Sequence, residues 1–420
     1  MKENHYIHLL KHRSFLSFWG ATTLLRLASN VLQFALAIYV LDLTGSAFVY
    51  STVLAIIILP RILCAPIAGS LADLHDSIGI LRWGALGLVG LMGCFWAVHG
   101  LVLPLNVPMI YALVICLEVC ETFLAPAEGK ALPCIVTEEE LAPATKLSSL
   151  DDGIVELLSP VLAALFYGPM GLSGVLGITF AMEGISFLLT TQIRSASVPV
   201  SDVTAEAPKF SLKDTCRTYR DAVVSLKSYP YVIGIILFAP LFNFFISPLF
   251  SVTAPHYFRV TMQADVNQYA MFNMTLGIAG LIAPFFAMVF IRDEDERRAN
   301  QGGTLASALL LLGLTVVVHF GASHFLPYLF TVTMALLTAI ITIMNIATSI
   351  TMKKRIPTEM MGRVISMIQL CATISVPLGQ LFYGLCTDHF PITVSLLLSV
   401  AGLMVTLAVM IQTYRLIRTH

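Results

Sequence analysis

Three carboxylates stand inside one of the most apolar stretches of the chain. In residues 111–133 (YALVICLEVCETFLAPAEGKALP), Glu118, Glu121 and Glu128 lie three and seven residues apart. That spacing puts them on one face of a helix. The stretch is long enough to cross a bilayer, for which about 20 apolar residues suffice. An ionisable group at such a depth is costly, and it marks an ion or substrate path or a paired charge. Arg26, well inside another apolar stretch, lies at a depth similar to Glu118 and Glu121. A pairing of Arg26 with one of these two acids, direct or through water, is expected. A carboxyl balanced between burial and a neighbouring cation can take up and release a proton over the working pH range. The alternative is a static ion pair. Glu128, beside Lys130 near the end of its stretch, reads as a solvated residue at the mouth.

Further acids follow at Asp151, Asp152 and Glu156. Asp152 and Glu156 share a helix face and sit too deep for an ordinary loop. They could line an acidic wall suited to a cationic substrate, or cap the helix and pair with Lys146 or Arg82. Glu183 and Arg61 are lone charges read as packing residues. Eight cysteines are scattered through apolar segments with no C-x-x-C pair. Cys116 and Cys120 lie one turn apart, but no histidine joins them, and free cysteine behaves as a small buried hydrophobe. Neither metal, cofactor nor disulfide framework is expected.

Membrane helices must position these groups. The 420 residues are 57% hydrophobic and only 12% charged, against about 25% charged in a typical soluble domain. Hydropathy places twelve spans near 15–41, 47–72, 80–100, 105–129, 143–168, 172–194, 229–257, 266–291, 303–321, 325–352, 361–386 and 391–414. All read as helices, because a backbone in lipid must satisfy its own hydrogen bonds. The N-terminal stretch lacks a small-residue cleavage site and reads as leading into a retained first span. Lys and Arg concentrate in the loops that share a side with both ends of the chain; Arg26, Arg61 and Arg259 fall elsewhere. By the positive-inside rule both termini are cytoplasmic. A net charge of −1 names no partner, and no nucleic-acid role is indicated.

The one long gap, 195–228, opens as a small, polar, Pro-containing linker (SASVPVSDVTAEAP). It continues as an amphipathic stripe of Leu212, Cys216, Tyr219, Val223 and Leu226. This is either a helix on the membrane surface or a solvated connector. The gap divides the chain into a six-helix bundle over 1–194, a linker over 195–228 and a second bundle over 229–420. A short echo supports duplication: Ile135-Val136-Thr137-Glu138 precedes span five, and Ile356-Pro357-Thr358-Glu359 precedes span eleven. Thr137 with Glu140 has the form of a capping box, and Thr358 can cap likewise. Such a layout fits two parallel repeats about an axis normal to the membrane.

The chain resembles the major facilitator superfamily. The carrying residues are Gly69 and Asp73 in the Gly-x-x-x-Asp motif between spans two and three. The basic residues of that motif are absent, with Leu74, Ser77 and Ile78 near their places. Closest is the branch of drug and siderophore exporters of the macrolide-efflux type. Its marks are the Thr44-Gly45-Ser46 turn, Pro60 and Pro66 in span two, Phe123-x-x-Pro126-Ala127 with Pro133, and Ile356-Pro357-x-Glu359-x-x-Gly362-Arg363-Val364. The resemblance implies an all-α membrane protein of twelve helices in two pseudo-symmetric bundles. It implies a cavity lined by spans one, four, seven and ten, and a cytoplasmic gate at Asp73 and Arg363, or, with the motif's basic residues missing, one shifted to His75 and Arg363.

Each of those four spans carries a polar stripe of its own. Span one has Arg26, Asn30 and Gln33; span four has Glu118 and Glu121; span seven has Asn243, Ser247 and Ser251; span ten has Thr338, Thr342, Asn345 and Ser349. Small polar residues also hold helices together anywhere in a membrane. Span seven is rich in Phe (Phe238, Phe242, Phe244, Phe245, Phe250), which could hold an amphipathic ligand or a cation or simply face lipid.

No G-x-x-x-x-G-K-[ST] loop occurs, so an ion gradient rather than a nucleotide would supply energy. An enzyme is not expected: His5, His8 and His12 lie near the N-terminus, and His12 has no acid partner at useful spacing. The reading is a monomeric, multi-pass exporter in the cell (inner or plasma) membrane, working by alternating access. It would move a small amphipathic, cationic compound against entering protons or another coupling ion. The alternative is a siderophore, lysophospholipid or other metabolite transporter of the same fold.

Overall fold

A computed structural model describes Leu9 and residues 11–193, 230–290, 296–320, 325–355 and 358–418. The expected surface helix within 195–228 lies outside the described residues, as do the side chains of Thr358 and Arg363. Among the described residues ten helices are long and apolar enough to cross a membrane. One of these regions belongs to the helix Glu138–Thr191, which holds spans five and six and breaks at Gly171 (φ 60°). Thr358–His389 forms a further long helix where span eleven is expected. The architecture therefore accommodates the twelve-span reading.

Local sequence explains where the spans begin and turn. Span one is the helix Arg13–Thr44, and it stops at Gly45 (φ 64°). A left-handed residue of this kind favours glycine, as the Thr44-Gly45-Ser46 turn leads one to expect. Span two comes in two pieces, Ala47–Ile56 and Ile58–Leu74. Pro60 lacks the N–H that would bond to Ile56, which accounts for the break. Asp76 caps span three, Ser77–Ala97, by accepting from the Ile78 and Gly79 N–H groups at 3.2 and 2.9 Å. Asn106 caps span four, Val107–Ile135, by accepting from the Met109 N–H at 3.1 Å. At the start of span five Glu140 turns back and accepts from the Thr137 N–H at 3.1 Å, completing the expected capping box. Span seven, Pro230–Pro248, runs on through two π-helical turns to Thr261, past its expected end.

The helices cluster in two compact units. The first takes spans one to six except Val40–Ala55; the second takes spans seven to twelve together with Val40–Ala55. That short segment departs from the sequence-based division, and polar contacts account for it. Arg259 grips both carboxylate oxygens of Asp42 at 2.8 Å. Asp388 accepts from the backbone N–H groups of Ala47 and Phe48 and from the Ser46 hydroxyl, capping the start of span two.

Within the first unit, glycines let spans three, four and six approach closely. A Cβ at Gly84 would fall 2.5 Å from Leu124, and one at Gly93 3.0 Å from Phe180. Within the second unit, Phe245 fills the space over Gly402 and Phe244 packs against Phe382 with ring centres 5.8 Å apart. These two span-seven phenylalanines hold helices together.

Candidate functional site

The span-four acids find their partners on spans one and two. Glu118, 5% exposed, accepts from Arg61 Nε of span two at 2.8 Å. Glu128 accepts from an Arg26 terminal nitrogen at 3.1 Å, and its side chain is largely shielded. Glu121 accepts a short hydrogen bond from the Ser29 hydroxyl of span one. Asp151, 2% exposed, accepts from Thr23 of span one at 2.8 Å. Lys130 bonds Asp73 at 2.7 Å and the Ala72 carbonyl at 3.0 Å.

Two sequence expectations change here. Arg26 meets Glu128, not Glu118 or Glu121, and Glu128 is a paired residue rather than a solvated one. Helix direction gives the reason. Side chains lean toward the N-terminus of their own helix. Spans one and four run in opposite directions, so Arg26 leans toward the start of span one while Glu128 leans the other way, and the two converge. Arg61, read as a packing residue, is the ion-pair partner of Glu118. The signal was present in the sequence: two lone charges on neighbouring membrane helices are expected to find each other, because neither is stable alone in an apolar medium.

Three span-four carboxylates thus meet two guanidinium groups. Glu121 is the one held by a hydroxyl, with Glu118, Arg61 and Glu128 within electrostatic reach. Asn30 is exposed and donates to the carbonyl of Arg26 on its own helix, at 2.8 Å. Gln33 is exposed as well. The side chains of Asp152 and Glu156 lie outside the described residues. In the second unit Asn243 is half-buried and Asn345 exposed, while Thr338 and Thr342 bond back to carbonyls of their own helix. Asp73 of the expected gate is engaged by Lys130.

Glu183, also read from the sequence as a packing residue, is 3% exposed in span six, and one of its oxygens has no hydrogen-bond partner among the described residues. The first unit also holds an apolar cavity of about 440 Å³, lined by Leu71, Ile80, Trp83, Phe123 and Leu124 among others, with His75 and Asp76 also in the lining. None of the span-four acids lines it. No cluster of three or more His, Cys, Asp or Glu suited to a metal occurs among the described residues.

Two helical units that cross a membrane many times and hold ion pairs within their spans have the make-up of a membrane transporter. The chain belongs to the Major Facilitator Superfamily, whose model matches residues 18–380. It is 22% identical over 393 residues to macrolide efflux protein A of Streptococcus pyogenes, covering 92% of each chain. It is 24% identical over 376 residues to the uncharacterized MFS-type transporter YkuC of Bacillus subtilis strain 168, covering 86% of this chain and 82% of that one. Its fold matches the crystal structure of a bacterial homologue of the iron transporter ferroportin in an inward-facing state. The TM-score is 0.71 at 16% identity, with 96% of this chain and 98% of that one covered.

Proposed function

We propose that the protein exports a small amphipathic cation by alternating access, driven by proton entry, with both termini in the cytoplasm. The observation that carries this reading is the unequal pairing along span four. Arg61 neutralises Glu118 and Arg26 neutralises Glu128, whereas Glu121 has only the Ser29 hydroxyl as its hydrogen-bond partner among the described residues. A carboxylate so placed can exchange a substrate cation for a proton. The two arginines hold the flanking acids in fixed charge states and leave Glu121 to change. The macrolide-efflux relatives support the direction and the amphipathic character. Asp152 and Glu156 extend the acidic wall, Asn30 and Gln33 supply polar contacts from span one, and Asn243 and Asn345 do so from the second unit. Asp73 and Arg363 serve as the cytoplasmic gate, with Lys130 holding Asp73 in the structure described.

Inverted membrane vesicles test the reading. With an imposed proton gradient, the wild type accumulates a lipophilic cationic dye, and an uncoupler abolishes the uptake. Glu121→Gln loses gradient-driven uptake, and Arg26→Ala is impaired because Glu128 loses the guanidinium that holds it against span one. Dye uptake by Glu121→Gln at the wild-type rate would remove Glu121 from the coupling site.

The apolar cavity favours one second reading, a lipid-like substrate whose chain lies against Trp83 and Phe123. A fluorescent lysophospholipid that moves where the cationic dye does not would select it. The substitution Leu71→Trp, at a partly exposed position of the cavity lining, would then block that movement.

A further inference from the structure

Among the described residues Glu183 is a buried carboxylic acid that the pairing scheme above leaves unused. It lies on span six, behind span four, with 3% of its surface exposed and one oxygen unpartnered among the described residues. Other polar side chains on the same helix are satisfied. Ser186 donates to the Ala21 carbonyl of span one at 2.8 Å, and Thr179 and Thr190 bond carbonyls of their own helix. Among the described residues the neighbouring helices bring it no compensating cation. Span one meets span six at Ala21 and Gly20, and span three meets it at Gly93 and Trp96. Span four contributes Glu121 and Cys120, the titratable groups that interact with Glu183 among the described residues. An ionised carboxylate in such a place would have neither a hydrogen bond for its second oxygen nor an opposite charge, and it would face the charge of Glu121.

We propose that Glu183 is a proton-binding site coupled to Glu121, the two carboxyl groups holding one proton between them while Glu121 binds a cation. The inference rests on the reading of Glu121 given above. When the cation leaves, a second proton enters from water onto the Glu121 carboxylate, and both groups are neutral. When a cation returns, that proton goes back to water and Glu183 retains its own. The paired acids thus never carry two negative charges together, since like charges at close range in a poorly solvated site oppose double ionisation.

The test is an infrared pH titration of the purified full-length protein in lipid nanodiscs, which needs no substrate. Without substrate the wild type shows the carbonyl stretch of protonated carboxylic acid from both Glu121 and Glu183 at neutral pH; Glu121→Gln keeps the Glu183 component, and adding Glu183→Gln to that variant removes it. The pH range over which the Glu183 component disappears differs between the wild type and Glu121→Gln. A component of Glu121→Gln that persists when Glu183→Gln is added, or whose pH range is the same in the wild type, overturns the inference. Should Glu183→Gln fail to insert, Glu183→Asp is titrated instead. A shifted band frequency then supports the assignment, and an unshifted band overturns it. The outcomes separate the two proposals. Loss of the band together with a wild type that moves no dye overturns the export reading alone. Dye export by the wild type, with the band of Glu121→Gln intact after Glu183→Gln is added, overturns the proton site alone.

Discussion

Arg61 is more than half exposed along its side chain, yet its guanidinium lies 2.8 Å from a carboxylate whose side chain is only 6% exposed. The asymmetry sets the expected cost of breaking the pair. Arg61→Ala strands a buried charge on Glu118, and losing one partner of a buried pair costs about 3–5 kcal/mol. The exposed arginine places this case at the low end of that range. Removing the charge as well, in Arg61→Ala with Glu118→Gln, restores most of the loss. Unfolding of the detergent-solubilised protein measures both; equal destabilisation of the single and double variants would show that the pair contributes little. At this scale the charged residues buried in the spans were legible and their partners were not. Residue type and helix face single out Glu118, Glu121 and Arg26. The pairing depends on helix direction and side-chain lean, which shift each contact along the helix axis relative to a simple depth count. Ser29 was invisible for another reason: one hydroxyl among many in apolar spans carries no signal until an acid is seen to face it.

Helices in this protein meet where side chains are missing. A Cβ at Gly379 would stand 2.5 Å from the carbonyl oxygen of Phe244. Backbone cannot move aside as a flexible side chain can, so Gly379→Ala forces spans eleven and seven apart. Overpacking of this kind costs about 1–3 kcal/mol. At Gly87 an added Cβ would meet nothing within 4 Å, and alanine there improves helix propensity by up to about 1 kcal/mol. The two variants should therefore shift the melting temperature in opposite directions, and a shift of the same sign in both would refute the packing argument. The spans themselves were readable from hydropathy, and their caps from Asp76, Asn106 and Thr137 with Glu140. The π-helical extension of span seven to Thr261 was not, because it changes the hydrogen-bond register without changing the composition. Nor was the role of Phe244 and Phe245. An aromatic on a membrane helix looks alike in sequence whether it meets lipid, ligand or another helix.

For the whole molecule, the division into units does not follow the division of the sequence. Val40–Ala55 cluster with spans seven to twelve, held through Asp42 to Arg259 and through Ser46, Ala47 and Phe48 to Asp388. Arg259→Ala and Asp388→Ala should each lower the hydrogen-exchange protection of residues 40–55 while leaving residues 13–39 protected. Equal loss in both stretches would mean that span one behaves as one piece. The six-plus-six reading could not anticipate this grouping, since hydropathy counts spans and is blind to which aspartate an arginine will choose. The consequence reaches into how the gene can be divided. A polypeptide begun after the linker would carry Arg259 and Asp388 without the short stretch that satisfies them. Two half-genes expressed separately should yield a degraded second product, and their co-expression should rescue it, with the first half acting as an obligate donor of sixteen residues that the second cannot encode.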